Sequence, residues 1–287
     1  MLAIYKKELR AYFTSIIGYV FIAFFLMIIG IYFYLQNLFS RSPSFEYTLS
    51  GTTFIFVLLI PLITMRLMAE ENRQKTDQLL FTSPLTASAI VLGKYLAVFT
   101  VYGSVMAVTS FYPMIMKQYG YVSMGSAYAS ILGFLILGGT YLAIGLFISS
   151  MTDSQVVAAV IAFFAFLITL LMDIIAPILP VDNRISFVVC LVMVIVVALI
   201  LYLMMHSLFV SICIGLIGEA AMVILFLTNR VVFDGLVGKI LKWLSLISRY
   251  DSFRLGVFDL ADIIYYFSII FFFLFLTVQV IKKKRWS

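Results

Sequence analysis

Two carboxylates stand inside long apolar stretches of the sequence. Glu219 lies in the middle of a run at about 207–228, and Asp173 lies near the end of a run at about 154–176. A charged group in the core of a bilayer is costly, so such an acid faces protein or water, or keeps its proton. Both residues are therefore candidates for a path taken by a substrate or a proton. The alternative is an acid bonded to a neighbouring backbone or hydroxyl group, and the sequence leaves both readings open.

The sequence contains none of the short motifs that hold nucleotides, metals or acyl-enzyme intermediates. It has no GxxxxGK[ST] phosphate loop, no HExxH, no GxSxG and no CxxC. The two cysteines, Cys190 and Cys213, lie in apolar segments, and no disulfide framework or metal spacing follows from them. Basic residues are too few and too scattered to favour nucleic-acid binding. We therefore expect a protein that is not itself an enzyme and that needs no cofactor.

A polar stretch at 66–90 is the most informative part of the sequence. Acidic residues open it, a compact apolar group follows, and Pro84 ends it. A short exposed helix is poorly stable alone. A charged helix with an apolar group is therefore expected to bind in the groove of a partner. A loop that lies on the membrane surface is the alternative. The candidate contact residues of the segment at 70–85 are Glu70, Glu71, Arg73, Thr76, Asp77, Leu79, Leu80 and Pro84.

The rest of the chain is apolar enough to be a membrane domain. Of its 287 residues 64% are hydrophobic and 11% charged, whereas soluble domains contain roughly 25% charged residues. A bilayer core about 30 Å thick requires roughly 20 apolar residues as helix, and helices satisfy their own backbone amides in lipid. Runs that qualify lie at about 16–36, 52–69, 91–116, 126–149, 154–176, 185–205, 207–228 and 262–281.

These runs predict an all-α polytopic integral membrane protein with about eight transmembrane helices and a single membrane domain over residues 1–287. The stretch at 229–261 is amphipathic, with apolar residues at helical spacing, and predicts one or two helices in the membrane interface. Bases near the span ends favour a cytoplasmic N-terminus. An even number of spans then returns the basic C-terminal tail to the cytoplasm and places 229–261 outside.

Several segments together resemble the ABC type-2 permease family. The pattern in the polar stretch consists of Glu70–Glu71, Thr76, Leu79–Leu80, Pro84 and Gly93–Lys94. Residues 4–9, IYKKEL, are similar to the family's N-terminal amphipathic elbow helix, here 1–15, and residues 145–155 are similar to its turn between the fourth and fifth spans. Residues 253–259 and the tyrosines and basic tail after them resemble the gliding-motility-type branch of that family.

The resemblance implies the permease subunit of an ATP-driven exporter in a bacterial cytoplasmic (inner) membrane. Its expected partners are two ABC ATPase subunits, a second permease subunit that is identical or paralogous, and, as in gliding-type systems, a membrane-anchored extracytoplasmic subunit. The segment at 70–85 would be the cytoplasmic coupling helix, seated on the ATPase. The chain departs from the family's usual six spans at 180–228, where it has an extra helical hairpin before the last span at 262–281. An ion-coupled secondary transporter and a structural or assembly membrane protein are the alternatives.

Overall fold

The computed structural model describes residues 1–74, 85–178, 182–205, 208–228 and 230–286. These residues form two compact units. Unit 1 consists of Met1–Leu170 and Arg249–Ser287, and unit 2 consists of Leu171–Ser248. The prediction of one membrane domain over the whole chain remains a prediction, and each unit is described by itself.

Unit 1 is built from helices of very different lengths. In chain order they are α1 (Leu2–Thr14), α2 (Ile16–Phe33, continued by a π-helical turn at Tyr34–Phe39), α3 (Phe45–Gly51), α4 (Ile55–Thr64), α5 (Arg66–Gln74), α6 (Ala87–Thr109), α7 (Phe111–Tyr119), α8 (Met124–Met151) and α9 (Gln155–Ile175), whose last turn belongs to unit 2. Unit 2 continues with α10 (Asn183–Met205), α11 (Leu208–Thr228), a 3₁₀ turn at Arg230–Phe233 and α12 (Leu236–Leu244). The chain then returns to unit 1 with α13 (Tyr250–Arg254) and α14 (Leu260–Trp286).

Among the described residues, five helices are long and apolar enough to cross a membrane. They lie at Ile16–Phe39, Ala87–Tyr119, Met124–Met151, Gln155–Ile175 and Leu260–Arg285. A sixth candidate is the bent pair Phe45–Gly51 and Ile55–Arg73. The prediction of an all-helical polytopic membrane protein is thus confirmed, whereas the count of eight spans remains a prediction.

The second apolar run, at 52–69, corresponds to α4 and the first residues of α5, and the short helix α3 precedes it. The chain bends by 62° between α3 and the helix that starts at Ile55. Two threonines at the bend, Thr52 and Thr53, donate hydroxyl hydrogen bonds to the carbonyls of Leu49 and Ser50. Such local bonds compete with helix continuation. Hydropathy did not indicate α3, because its sequence, FEYTLSG, includes Glu46 and several hydroxyl residues.

The long helix α8 forms the centre of unit 1, where it packs against α3, α4, α5, α6, α13 and α14. An aromatic cluster surrounds its middle, and the Tyr102 hydroxyl donates to the Phe134 carbonyl at 2.7 Å. Glycines permit this close approach, because a Cβ atom on Gly138 would lie 2.4 Å from the Tyr102 ring. Glycine at this position therefore allows close packing of α8 against α6.

A buried polar cluster, the Asp262 cluster, holds the start of α14. It consists of Asp262, Arg249 and Ser252. Arg249 Nη1 donates to Asp262 Oδ1 at 2.9 Å, and the Ser252 hydroxyl donates to Asp262 Oδ2 at 2.6 Å. The nearby Phe253 packs on α8, where a Cβ atom on Gly133 would lie 2.5 Å from its side chain.

In unit 2, α10 and α11 pack side by side and run antiparallel. Phe187 near the start of α10 stacks on Phe226 near the end of α11, with ring centroids 4.3 Å apart. Within 229–261 the described chain forms the 3₁₀ turn, α12 and α13, and the location of these helices in the membrane interface remains a prediction. That α10 and α11 cross the membrane as an extra pair, and that 229–261 lies outside, remain predictions.

Candidate functional site

The charged helix α5 begins directly where α4 ends. Its sequence, RLMAEENRQ, is strongly polar on one side. Within it, Arg66 Nε donates to Glu70 Oε2 at 2.8 Å, an ion pair between residues one turn apart. Residues 70–74 of α5 belong to the segment at 70–85 that the sequence predicts to be the coupling helix, and residues 75–84 of that segment lie outside the described residues.

Ser149 of α8 holds the first turn of α5. The first four N–H groups of a helix have no partner within the helix. The Ser149 hydroxyl accepts from two of these groups, on Met68 at 3.1 Å and on Ala69 at 3.2 Å. It also donates to the Met65 carbonyl at 3.0 Å. One turn further along, Asn72 Nδ2 donates to the Thr152 carbonyl at 3.3 Å. One side of α5 is thereby fixed to the end of α8.

The other side of α5 meets a buried lysine of α6. Lys94 is 1% exposed, and its Nζ lies 2.9 Å from Glu71 Oε2 on α5 and 2.9 Å from Glu8 Oε1 on α1. It also donates to the Leu67 carbonyl at 2.7 Å. Lys7 Nζ, on α1, lies 3.3 Å from the second oxygen of Glu71. Lys7, Glu8, Glu71 and Lys94 are called the Lys94 cluster below.

The cluster is balanced in charge. Two ammonium groups face two carboxylates, so its formal charge is zero. Lys94 Nζ donates hydrogen bonds to Glu8 Oε1 and to the Leu67 carbonyl, and it forms an ion pair with Glu71 Oε2. A buried charge is tolerated when it is paired and hydrogen-bonded in this way. Lys94 therefore joins three elements: α1, α5 and α6.

Close packing beside the cluster brings α1 against α6 and α4. A Cβ atom on Gly93 would lie 3.1 Å from the Ile4 side chain and 3.2 Å from the Met1 carbonyl oxygen, so glycine allows the approach. The Tyr12 hydroxyl, near the end of α1, donates to the Ile63 carbonyl at 2.9 Å. Burial, and secondarily the Glu8 carboxylate, raise the pKa of Tyr12, so the phenol keeps the proton that it donates.

The structure separates the predicted contact residues of 70–85 into distinct groups. Glu70 pairs with Arg66, and Glu71 belongs to the Lys94 cluster, whereas Arg73 is exposed. The remaining ones lie outside the described residues: Thr76, Asp77, Leu79, Leu80 and Pro84. Both described acids, Glu70 and Glu71, thus make contacts within the chain. The role of all these residues in binding an ATPase remains a prediction.

The two candidate acids of the apolar runs both lie in unit 2. Asp173 is half-buried near the end of α9, and Glu219 is half-buried in the middle of α11. Their part in a substrate or proton path remains a prediction.

The basic end of α14 lies beside the other flank of the predicted coupling segment. Arg285 Nη1 donates to the Leu85 carbonyl at 3.4 Å, just before α6 begins. Lys284 Nζ lies 3.6 Å from Asp153 in the turn after α8. The C-terminal bases, the end of α8 and the start of α6 therefore meet at one end of unit 1.

Sequence reasoning missed the partnership of Lys94 with Glu8 and the role of Ser149. Lys94 and Glu8 are 86 positions apart, so no local pattern links them. A signal was nevertheless present, because Lys94 falls inside the apolar run at 91–116 and a buried base requires an anion. The sequence pattern indicates Glu8 and Lys94 only as parts of two separate family motifs.

Comparison with known proteins agrees with this architecture. Residues 33–229, well over half of the chain, match the family model described as ABC-2 family transporter protein. A comparison with curated proteins finds no match. The match includes α3 to α11 and thus α5, Lys94 and Ser149. From its apolar helices and this match, the chain is a multi-pass membrane protein that belongs to the ABC-2 family of transporter proteins.

Proposed function

We propose that this protein is the permease subunit of an ATP-driven exporter in the cell membrane, and that two ABC ATPase subunits bind its segment at 70–85. Membership of the ABC-2 family supports a membrane subunit that works with such ATPases and is not itself catalytic. A second permease subunit, identical or paralogous, completes the complex. The finer assignments of export, of the docking segment and of a bacterial inner membrane are parts of the proposal.

The observation that carries the proposal is the way α5 is held. The helix is fixed on one side by Ser149 and on the other by Lys94, while Arg73 near its end is exposed. A polar helix fixed at its base and leading into a segment with an apolar group is suited to receive a partner and to pass its movement on. ATP binding would close the ATPase pair and push this segment, and α5 would carry the movement to α8 through Ser149.

The charges at this end of unit 1 support a cytoplasmic location. The bases of α1, those of α5 and the basic end of α14 all lie near the Lys94 cluster or beside residue 85. Short cytoplasmic segments of membrane proteins carry an excess of lysine and arginine. On this orientation both chain ends are cytoplasmic, and the Asp262 cluster and 229–261 lie on the outer side. An extracytoplasmic partner and the gliding-motility-type branch rest on the sequence resemblance alone.

Purification from native membranes tests the proposal. The tagged wild-type protein should bring down a chain with an ATP-binding phosphate loop, identified by mass spectrometry, together with ATP hydrolysis in the eluate. Arg73→Glu and Leu79→Asp should release that chain. Arg41→Glu is the matched control, since it reverses the charge of an exposed arginine that follows α2, away from the segment at 70–85. An ATPase retained equally by all variants would exclude docking at 70–85, and a wild-type protein without any ATPase would contradict the proposed function.

A further inference from the structure

We propose that Lys94 is a positioning residue that couples α5 to the N-terminal helix α1, so that α1 moves together with α5 during the ATP cycle. This inference rests on the proposed function. It adds to the route through Ser149 a second route, through Lys94 and Glu8, to an element that lies outside the matched family region.

The contacts of Lys94 are the first argument. It donates hydrogen bonds to Glu8 and to the Leu67 carbonyl and forms an ion pair with Glu71, so two of its three partners belong to α5. A movement of α5 away from α6 would leave donors of a 1% exposed ammonium group without acceptors. Because an unpaired buried charge is strongly unfavourable, Lys94 has to follow α5. Glu8 then follows Lys94 for the same reason.

The arrangement of Glu71 is the second argument. One of its oxygens pairs with Lys94 on α6 and the other with Lys7 on α1. Glu71 is thus bound to both neighbouring elements at once, and α1 is attached to α5 directly through Lys7 and indirectly through Lys94 and Glu8. The direct contact is weak because Lys7 is 64% exposed, whereas Glu8 and Glu71 are each 13% exposed. The buried route through Lys94 is therefore the one that transmits the movement of α5 to α1.

The chemistry of the cluster is the third argument. Buried ion pairs are poor stabilisers, since apolar residues of similar volume often serve as well or better. Their distinctive property is directional pairing, which fixes one arrangement of the elements that they join. Here the joined elements are the polar helix α5, the candidate span α6 and the N-terminal helix α1. Lys94 is 86 positions from Glu8 and 27 positions from Leu67 along the chain. Fold stability alone does not account for ions at this junction.

Hydrogen exchange of the purified complex with its ATPase tests the inference. Exchange is measured with and without a non-hydrolysable ATP analogue, for peptides that cover α1, α5 and the start of α6. In the wild type, the nucleotide should change exchange in α5 and, by about 5-fold or more, in α1, which is the lower end of typical coupling between sites. In Lys94→Met, the change in α5 should persist while the change in α1 disappears.

A second variant and a control keep the test decisive. Glu8→Gln keeps the Lys94–Glu71 pair, so α1 should lose its response while the start of α6 keeps it. Asp262→Asn, which alters the other buried cluster, should respond as the wild type does. An α1 response that persists in both Lys94→Met and Glu8→Gln would overturn the inference, as would a wild-type response confined to α5. Absence of any ATPase in the complex would instead overturn the proposed function on which the inference rests.

Discussion

The two buried polar clusters of unit 1 differ in what they connect. The Lys94 cluster joins α1, α5 and α6, with partners at positions 8, 71 and 94. The Asp262 cluster joins residues 249, 252 and 262, which are neighbours along the chain. Both contain a charged group that is less than 5% exposed. The first cluster therefore links distant elements, whereas the second shapes one local connection between α13 and α14.

The clusters also lie at opposite ends of α8. The Asp262 cluster is next to Phe253, which packs on Gly133, and the Lys94 cluster is next to α5, which is held by Ser149. The distance between Gly133 and Ser149 along the helix is roughly 24 Å, at a rise of about 1.5 Å per residue. A buried ion pair therefore acquires a mechanical role from the elements that it joins, and burial alone does not provide one.

Loss of the lysine should be the most costly change. Lys94→Met leaves Glu8 without its cation and Glu71 with only the exposed Lys7, and removing one partner of a buried ion pair costs about 3–5 kcal/mol. The free energy of unfolding, measured by denaturant titration in mixed micelles, should fall by this amount. Lys117→Met makes the same change at an exposed lysine and should have almost no effect. Equal effects at both positions would contradict the role assigned to Lys94.

Removal of the charge from the other cluster should cost less. Asp262→Asn weakens the bonds from Arg249 and Ser252, and hydrogen bonds to charged groups contribute about 1.5–3 kcal/mol. Arg249 is partly exposed and can turn to water. Asp251→Asn is the control, because Asp251 is mostly exposed in its pair with Arg254. If Asp262→Asn proved more destabilising than Lys94→Met in the same titration, the contrast between the clusters would be lost.

Ser149 should stabilise the fold through its hydrogen bonds to α5. Ser149→Ala leaves the buried N–H groups of Met68 and Ala69 without their acceptor, which costs about 1–3 kcal/mol. The adjacent Ser150→Ala is a close control, because the Ser150 hydroxyl is also buried but bonds within its own helix, to the Phe147 carbonyl at 2.6 Å. Thermal unfolding should separate the two variants. Similar losses for both would show that Ser149 does not anchor α5.

The exposed member of the Lys94 cluster should contribute least. Lys7→Gln removes a pair of 3.3 Å whose lysine is 64% exposed, and such surface pairs are worth about 0.2–1 kcal/mol. The small loss should shrink further at high salt because exposed charges are screened. Lys6→Gln at the neighbouring exposed position serves as the reference in the same thermal assay. A large, salt-independent loss would mean that Lys7 rather than Lys94 carries the connection to α1.

Hydropathy was sufficient to predict most of the spans. The apolar runs at 16–36, 91–116, 126–149, 154–176 and 262–281 each correspond to a helix that is long enough to cross a membrane. The bend after Gly51 was not predictable in this way, because hydropathy does not report side-chain bonds such as those of Thr52 and Thr53 at the bend. Helix length follows from composition, whereas a break depends on local hydrogen bonding.

The candidate site was predictable only in part. Charge and polarity indicated Glu70, Glu71 and Arg73 as an unusual group at the end of a span. They did not indicate that Glu71 faces Lys94 while Arg73 faces outward, because that distinction depends on contacts between helices far apart in sequence. Periodicity shows which residues share a face of one helix, and the partner on another helix is set by tertiary packing.

Photo-crosslinking from the end of α5 shows whether an ATPase binds there. A photoreactive amino acid replaces Arg73 in one variant and Arg41 in a control, and both are expressed in the native host and illuminated in intact membranes. We expect an adduct between position 73 and a chain that carries an ATP-binding phosphate loop, and no such adduct from position 41. An ATPase adduct from position 41, or its absence from position 73, would contradict the placement of the ATPase at the end of α5.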